Sequence, residues 1–74
     1  MTPEEFDAAT ILTVGQIAGI AGYSENRTLI RILKAGGVRV LRPSYWHMVE
    51  KGQLREAMPA FFDALVSRLR GRDD

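Results

Sequence analysis

Residues 12–37 read LTVGQIAGIAGYSENRTLIRILKAGG, and this stretch decides the fold. Thr13 is followed three residues later by Gln16, which is the capping-box pattern of a helix start. The apolar residues that follow predict a helix over residues 14–21. This helix is expected to end at Gly22, because glycine tolerates the left-handed conformation that is common at helix ends. A second helix follows after a turn of a few residues.

The second helix of this pair has two chemically different faces. It is expected to start after a Ser24 cap, to occupy residues 25–35 and to end at Gly36. At 100° per residue, three apolar side chains gather on one face: Leu29, Ile32 and Leu33. Three cations gather on the opposite face: Arg27, Arg31 and Lys34. An ordinary solvated helix face mixes the two signs, so a face without an acid favours contact with a polyanion.

The flanking segments predict a short helix and a hairpin. Thr2 is expected to cap a helix over residues 3–9, and residues 10–12 form an extended link because β-branched residues occur in series. After the second helix, two runs rich in β-branched and aromatic residues lie on either side of the turn former Pro43. They predict a β-hairpin over residues 38–49.

The C-terminal part predicts one or two helical turns over residues 53–58 and a last helix over residues 59–70. A continuous helix through Pro59 would lose a backbone hydrogen bond at a cost of roughly 3 kcal/mol, so we expect a break there. The last helix carries a wide apolar stripe: Phe61, Phe62, Leu65, Val66 and Leu69. This stripe either closes the core or pairs in part with a second copy, as a homodimer or in cooperative assembly on DNA.

Composition limits the class of protein. A chain of 74 residues forms one small domain, 1–74, and its 46% hydrophobic residues distinguish it from disordered chains. The chain has no cysteine, which excludes disulfides and thiolate metal sites and points to a reducing compartment. No apolar run approaches the roughly 20 residues of a membrane helix, and the first residues are acidic rather than basic. We therefore expect a cytoplasmic protein that does not bind membranes.

The charges are segregated, although the net charge is only +1. Residues 1–26 carry four acids and no lysine or arginine, whereas residues 27–49 carry five lysines and arginines and no acid. Residues 50–74 carry five charges of each sign and cancel. Any basic surface must therefore come mainly from the middle of the chain.

No set of residues suggests catalysis, a metal or a cofactor. His47 is the only histidine and has no cysteine with which to share a metal or form a nucleophilic pair. Helix capping and the helix dipole account for Glu4 and Glu5 without any catalytic role. Trp46, the only tryptophan, is expected to contribute its large side chain to the core.

A helix, a short turn, a helix with a basic outer face and a basic hairpin together outline a winged helix-turn-helix, in which one helix enters the major groove. The chain resembles the small winged-helix proteins of the phage excisionase and MerR-type superfamily over about residues 12–54. The resemblance is carried by Leu12-Thr13-Val14, Gln16-Ile17-Ala18, Gly22-Tyr23-Ser24, Thr28-Leu29, Lys34-Ala35-Gly36 and the basic hairpin. The chain differs from the family in a turn one residue longer and a more apolar wing.

The resemblance implies a function in double-stranded DNA binding. Residues 25–35 would enter the major groove, and the wing over residues 38–49 would reach the adjacent backbone or minor groove. Excisionases of this type bend DNA to direct an integrase, and MerR-type relatives regulate promoters as dimers, so an integrase or the transcription machinery would be a partner. The candidate DNA contacts are Ser24, Asn26, Arg27, Thr28, Arg31, Lys34, Arg39 and Arg42.

A protein-binding function is the alternative. A small helical adaptor or inhibitor would bind another protein through the apolar C-terminal helix and Trp46, and would use the basic face for an acidic partner. The all-basic face over residues 25–35 favours DNA over this alternative.

Overall fold

Helices make up most of the chain, and a small antiparallel sheet joins them, as the sequence predicted. The computed structural model describes residues 1–71, so the last three residues of the expected domain lie outside the described residues. In chain order the elements are α1 (Pro3–Ala8), β1 (Ile11–Thr13), α2 (Val14–Ala21), α3 (Asn26–Ala35), β2 (Met48–Glu50), α4 (Lys51–Ala57) and α5 (Pro59–Gly71). Together they form a single compact domain around one core.

Two capping boxes set the starts of α1 and α2, which confirms the prediction. The Thr2 hydroxyl accepts a hydrogen bond from the Glu5 backbone N–H at 3.1 Å, and the Glu5 carboxylate accepts one from the Thr2 backbone N–H at 3.0 Å. These hydrogen bonds hold the pKa of the Glu5 carboxyl below its usual value. Thr13 and Gln16 make the same reciprocal pair at the start of α2.

The turn between α2 and α3 begins as predicted and ends one residue later than predicted. Gly22 closes α2 with a φ of 84°, in the left-handed region. The expected cap at Ser24 is wrong, because α3 begins at Asn26 and Glu25 occupies the N-cap position without a side-chain hydrogen bond. Ser24 is therefore one residue too early for its hydroxyl to accept from the first turn of α3.

The end of α3 is a Schellman motif built on Gly37, which has a φ of 88°. The Val38 backbone N–H donates to the Leu33 carbonyl at 2.9 Å, and the Gly37 N–H donates to the Lys34 carbonyl at 3.1 Å. Leu33 and Val38 are both buried, which supplies the hydrophobic contact that accompanies this motif. The motif turns the chain sharply away from the axis of α3.

The sheet pairs segments that are far apart in the chain. The antiparallel register places Ile11 opposite Glu50, Leu12 opposite Val49 and Thr13 opposite Met48. Leu12 and Val49 are completely buried, whereas Ile11 and Glu50 are exposed. The extended link predicted before α2 is thus a strand, and its inward residue helps to form the core.

The expected hairpin over residues 38–49 is wrong in its pairing. Among the described residues of this segment, a single bridge joins Leu41 to Met48, whereas Met48 and Val49 pair with Thr13 and Leu12 of β1. The backbone of the first run is engaged elsewhere, because the Gln53 side chain donates to the Gly37 carbonyl and accepts from the Arg39 N–H, both at 3.0 Å. The Gly37 carbonyl and the Arg39 N–H are therefore unavailable for the hydrogen bonds of a regular β-ladder.

The C-terminal helices close the core. The predicted break at Pro59 is confirmed: Met58 lies between α4 and α5 with φ −135° and ψ 69°. Helix α4 covers Lys51–Ala57, whereas the sequence predicted one or two helical turns over residues 53–58. It is longer than predicted because it starts directly after β2. On α5 the apolar stripe packs against α1, α2 and α4. Three of its five residues are buried in the chain's own core, Phe62, Leu65 and Leu69, and two are partly buried, Phe61 and Val66.

Two cations cap helix C-termini, which the sequence did not reveal. The Lys51 ammonium donates to the Phe6 and Asp7 carbonyls, each at 2.9 Å, and lies over the Phe6 ring. The Arg68 guanidinium donates through Nε to the Ile20 carbonyl at 2.8 Å. A cation at the C-terminal end of a helix satisfies unpaired carbonyls and interacts favourably with the helix dipole.

We expect Lys51→Met to lower the free energy of unfolding by about 1–2 kcal/mol, since two hydrogen bonds from a partly buried cation are lost while the apolar stem is kept. Lys34→Met is the matched control, because Lys34 is exposed on α3 and its loss should change stability by less than about 0.5 kcal/mol. Urea denaturation followed by circular dichroism measures both. Equal midpoints for the two variants would show that the Lys51 cap contributes no stability.

Candidate nucleic-acid interface

The outer face of α3 presents the three predicted cations to solvent. Arg27, Arg31 and Lys34 are exposed, while Leu29 and Leu33 on the opposite face are completely buried. Burial of these leucines fixes the rotation of α3 about its axis, so the basic face must point outward. Within the described residues, none of the three cations makes an ion pair.

An open groove runs along this basic face. Its lining consists of Asn26, Arg27, Ile30, Arg31, Lys34 and His47. Five of these residues belong to α3, and His47 comes from the segment just before β2. Ile30 is partly buried against the core, so it forms an apolar floor between the polar side chains. Within the part of the chain that the structure describes, the groove thus combines cations, an amide and an imidazole without an acid.

His47 is the groove residue that the sequence did not identify. Its backbone carbonyl accepts a hydrogen bond from the Val14 N–H at 2.9 Å, which ties it to the start of α2. This contact depends on the pairing of β1 with β2, two strands that are distant in the chain. No local pattern around His47 could have placed it beside α3.

The other candidate contacts lie outside this groove. Ser24 and Thr28 are exposed in the turn and in the first turn of α3. Arg39 is exposed as well, but its guanidinium lies 3.8 Å from the Glu50 carboxylate. Arg42 is exposed in the loop between Leu41 and Met48. Neither arginine of the expected wing, Arg39 or Arg42, is therefore part of the groove lining.

Trp46 is not part of the core, which corrects the expectation from the sequence. Its side chain is 60% exposed, and that of its neighbour Tyr45 is 75% exposed. The two rings pack edge to face with their centroids 5.4 Å apart. Leu41, at the base of the same loop, is also exposed. The reason is topological: the loop projects beyond the Leu41–Met48 bridge, where no other element of residues 1–71 covers it.

The described part of the chain contains neither a group of metal ligands nor a membrane-spanning helix. Among residues 1–71, no three histidine, aspartate or glutamate side chains are grouped so as to hold a metal ion. Over the same residues, no helix combines the length and apolarity needed to cross a membrane.

In comparisons with known proteins, no family model matches the chain, and no curated protein or solved structure is significantly similar to it. Function is therefore inferred from the chemistry of the surface.

The single tryptophan provides a direct check on the exposed loop. We expect the folded protein to show an emission maximum close to that of the urea-unfolded chain, and efficient quenching by acrylamide, because the Trp46 indole is in water. The unfolded chain in urea is the reference for full exposure. An emission maximum shifted strongly to the blue, with weak quenching, would mean that Trp46 is buried.

Proposed function

We propose that this protein binds double-stranded DNA as a winged helix-turn-helix, with α3 as the recognition helix. The observation that carries the proposal is the basic groove on the outer face of α3, whose lining contains no acid among residues 1–71. Phosphate contacts from lysine and arginine supply most of the affinity in protein–DNA binding. An α-helix is also the element that the major groove admits.

The arrangement of α2 and α3 supports this assignment. The eight-residue helix α2 ends at Gly22, and the ten-residue helix α3 packs against it after a short turn. This arrangement matches the helix-turn-helix pattern. Recognition helices contact base edges with their N-terminal residues. Here that end carries Asn26 and Arg27, whose side chains can make paired hydrogen bonds to adenine and guanine respectively. This chemistry favours sequence-directed binding over contact with phosphates alone.

The loop between Leu41 and Met48 takes the place of the wing. It follows α3, carries Arg42 and is held by a β-bridge next to the groove residue His47. With this order of elements, an excisionase-like protein or a small transcriptional regulator is the role that fits a domain of this size. An integrase or the transcription machinery would then be the protein partner.

We also propose self-association, but through a smaller surface than the sequence predicted. Phe62, Leu65 and Leu69 are engaged in the chain's own core, so a partner copy could reach only Phe61 and Val66 of the C-terminal stripe. The same burial removes the main surface on which a protein-binding adaptor would depend. DNA binding is therefore the better supported of the two functions.

The test is fluorescence anisotropy of a labelled random-sequence duplex, titrated with protein at several salt concentrations. We expect log K to fall with log salt with a slope of about −4 to −5, as for roughly four to six phosphate contacts. Arg31→Ala should weaken binding and reduce the steepness of this slope by about 1.

Arg70→Ala is the matched control for this experiment. It removes the same charge from an exposed position in the last turn of α5, which is not part of the lining of the α3 groove, and it should leave DNA binding nearly unchanged. Absence of binding at micromolar protein and low salt would refute the proposal. Equal weakening by the two substitutions would show that overall charge, rather than the α3 groove, attracts the DNA.

A further inference from the structure

The loop over residues 42–47, called here the aromatic tip, exposes two large aromatic side chains to water. Tyr45 and Trp46 are both more than half exposed, and Leu41 at its base is 53% exposed. Large exposed apolar patches mark interaction sites, because leaving such surface in water is unfavourable. The tip is therefore a candidate contact surface outside the α3 groove.

A fixed stem holds the aromatic tip. Leu41 and Met48 exchange two backbone hydrogen bonds, of 2.8 and 2.7 Å, immediately below it. The next residue, Val49, is completely buried opposite Leu12. On the other side, the His47 carbonyl is bonded to the start of α2. Insertion of the tip into a partner would therefore cost less conformational entropy than insertion of a mobile loop.

Charge indicates which partner the aromatic tip suits. Arg42 is the only charged side chain between Leu41 and Met48, apart from the titratable His47, and no acid occurs there. The tip leads directly through His47 into the basic groove of α3. Two copies meeting at this surface would bring like charges together. A polyanion that offers flat apolar faces meets both requirements, and stacked bases in a DNA duplex provide such faces.

We propose that the aromatic tip wedges into the base stack of the duplex next to the α3 site, so that Trp46, supported by Tyr45, unstacks one base step and bends the DNA. This inference rests on the proposed function and adds a second mode of contact to it. Apolar side chains that enter from the minor groove kink DNA in this way. The edge-to-face pair cannot slide as one unit between two bases, so a single ring enters and the other supports it from outside.

The wedge also predicts a sequence preference that involves no hydrogen bond to a base. Pyrimidine–purine steps such as TA and CA unstack most easily. Sites with such a step beside the α3 contact should therefore be bound more tightly than sites in which a stiff A-tract takes its place. The protein would thus distinguish DNA sequences by how easily they deform.

The experiment combines three readouts on one duplex of about 25 base pairs. Anisotropy reports binding, Trp46 emission and its acrylamide quenching report stacking, and energy transfer between dyes at the two ends reports bending. We expect saturating DNA to quench Trp46 emission and shield the indole from acrylamide, and the energy transfer to rise. The wild-type fluorescence measurement needs no variant, so it stands even if a substitution affects folding.

Variants separate the wedge from the basic groove. Trp46→Ala should abolish the change in energy transfer and weaken binding by about fivefold, the lower end of what base–aromatic stacking contributes, because unstacking offsets part of the gain. Its salt slope should equal that of the wild type, unlike that of Arg31→Ala. Trp46→Phe should keep part of the bend. Ile11→Ala is the matched control, since Ile11 is an exposed apolar residue on β1, and it should change none of the readouts.

Four results would overturn the wedge. If anisotropy shows binding while Trp46 emission and quenching stay unchanged, the aromatic tip remains in solvent, and only the wedge fails. If Trp46→Ala bends the duplex as the wild type does, the bend has another origin. If the free protein sediments as a dimer that Trp46→Ala dissociates, a second copy occupies the tip. If no duplex binds at all, the wedge fails together with the proposed function.

Discussion

The three-residue pairing of β1 with β2 is the contact on which the rest of the structure depends. Each strand runs directly into a helix: Thr13 ends β1 and caps α2, and Glu50 ends β2 just before α4. Placing Leu12 opposite Val49 therefore fixes the starts of two helices at once. Both side chains are completely buried, which offsets the loop-closure entropy of joining distant parts of the chain. Because α3 packs on α2 and α5 packs on both α2 and α4, the pairing sets the whole arrangement.

Several cations outside α3 make contacts that stabilise the fold. Lys51 and Arg68 satisfy carbonyls at the ends of α1 and α2, and Arg55 lies over an aromatic ring, so these cations are committed to stability. Arg39 lies near a carboxylate. Within residues 1–71, the cations of α3 have no such internal role and share one exposed face. A net charge of +1 is thus compatible with a strongly basic local surface, since most other charges are balanced or used as caps.

Features set by neighbouring residues could be predicted from the sequence, and features set by distant contacts could not. The Thr13 capping box and the break at Pro59 each depend on a few adjacent residues and appear as predicted. The buried leucines and the exposed cations of α3 do so as well, but Ile32, which was expected on the apolar face, is only half-buried. The pairing of β1 with β2 joins segments that are far apart in the chain, and no local signal encodes it. The position of His47 follows from this pairing, and the exposure of Trp46 follows from the Leu41–Met48 bridge, which leaves residues 42–47 as a loop beyond it.

The core is complete without Trp46, and this explains how the residue can lie in solvent. Phe6 and Phe62 pack with their ring centroids 5.5 Å apart, and buried leucines, isoleucines and valines fill the remaining volume. A domain of this size buries a modest fraction of its surface, so each buried side chain contributes appreciably to its stability. Leaving the only tryptophan outside therefore forgoes stability that its burial would have provided. A rigid stem that holds it in water is better explained by contact with a partner than by the requirements of folding.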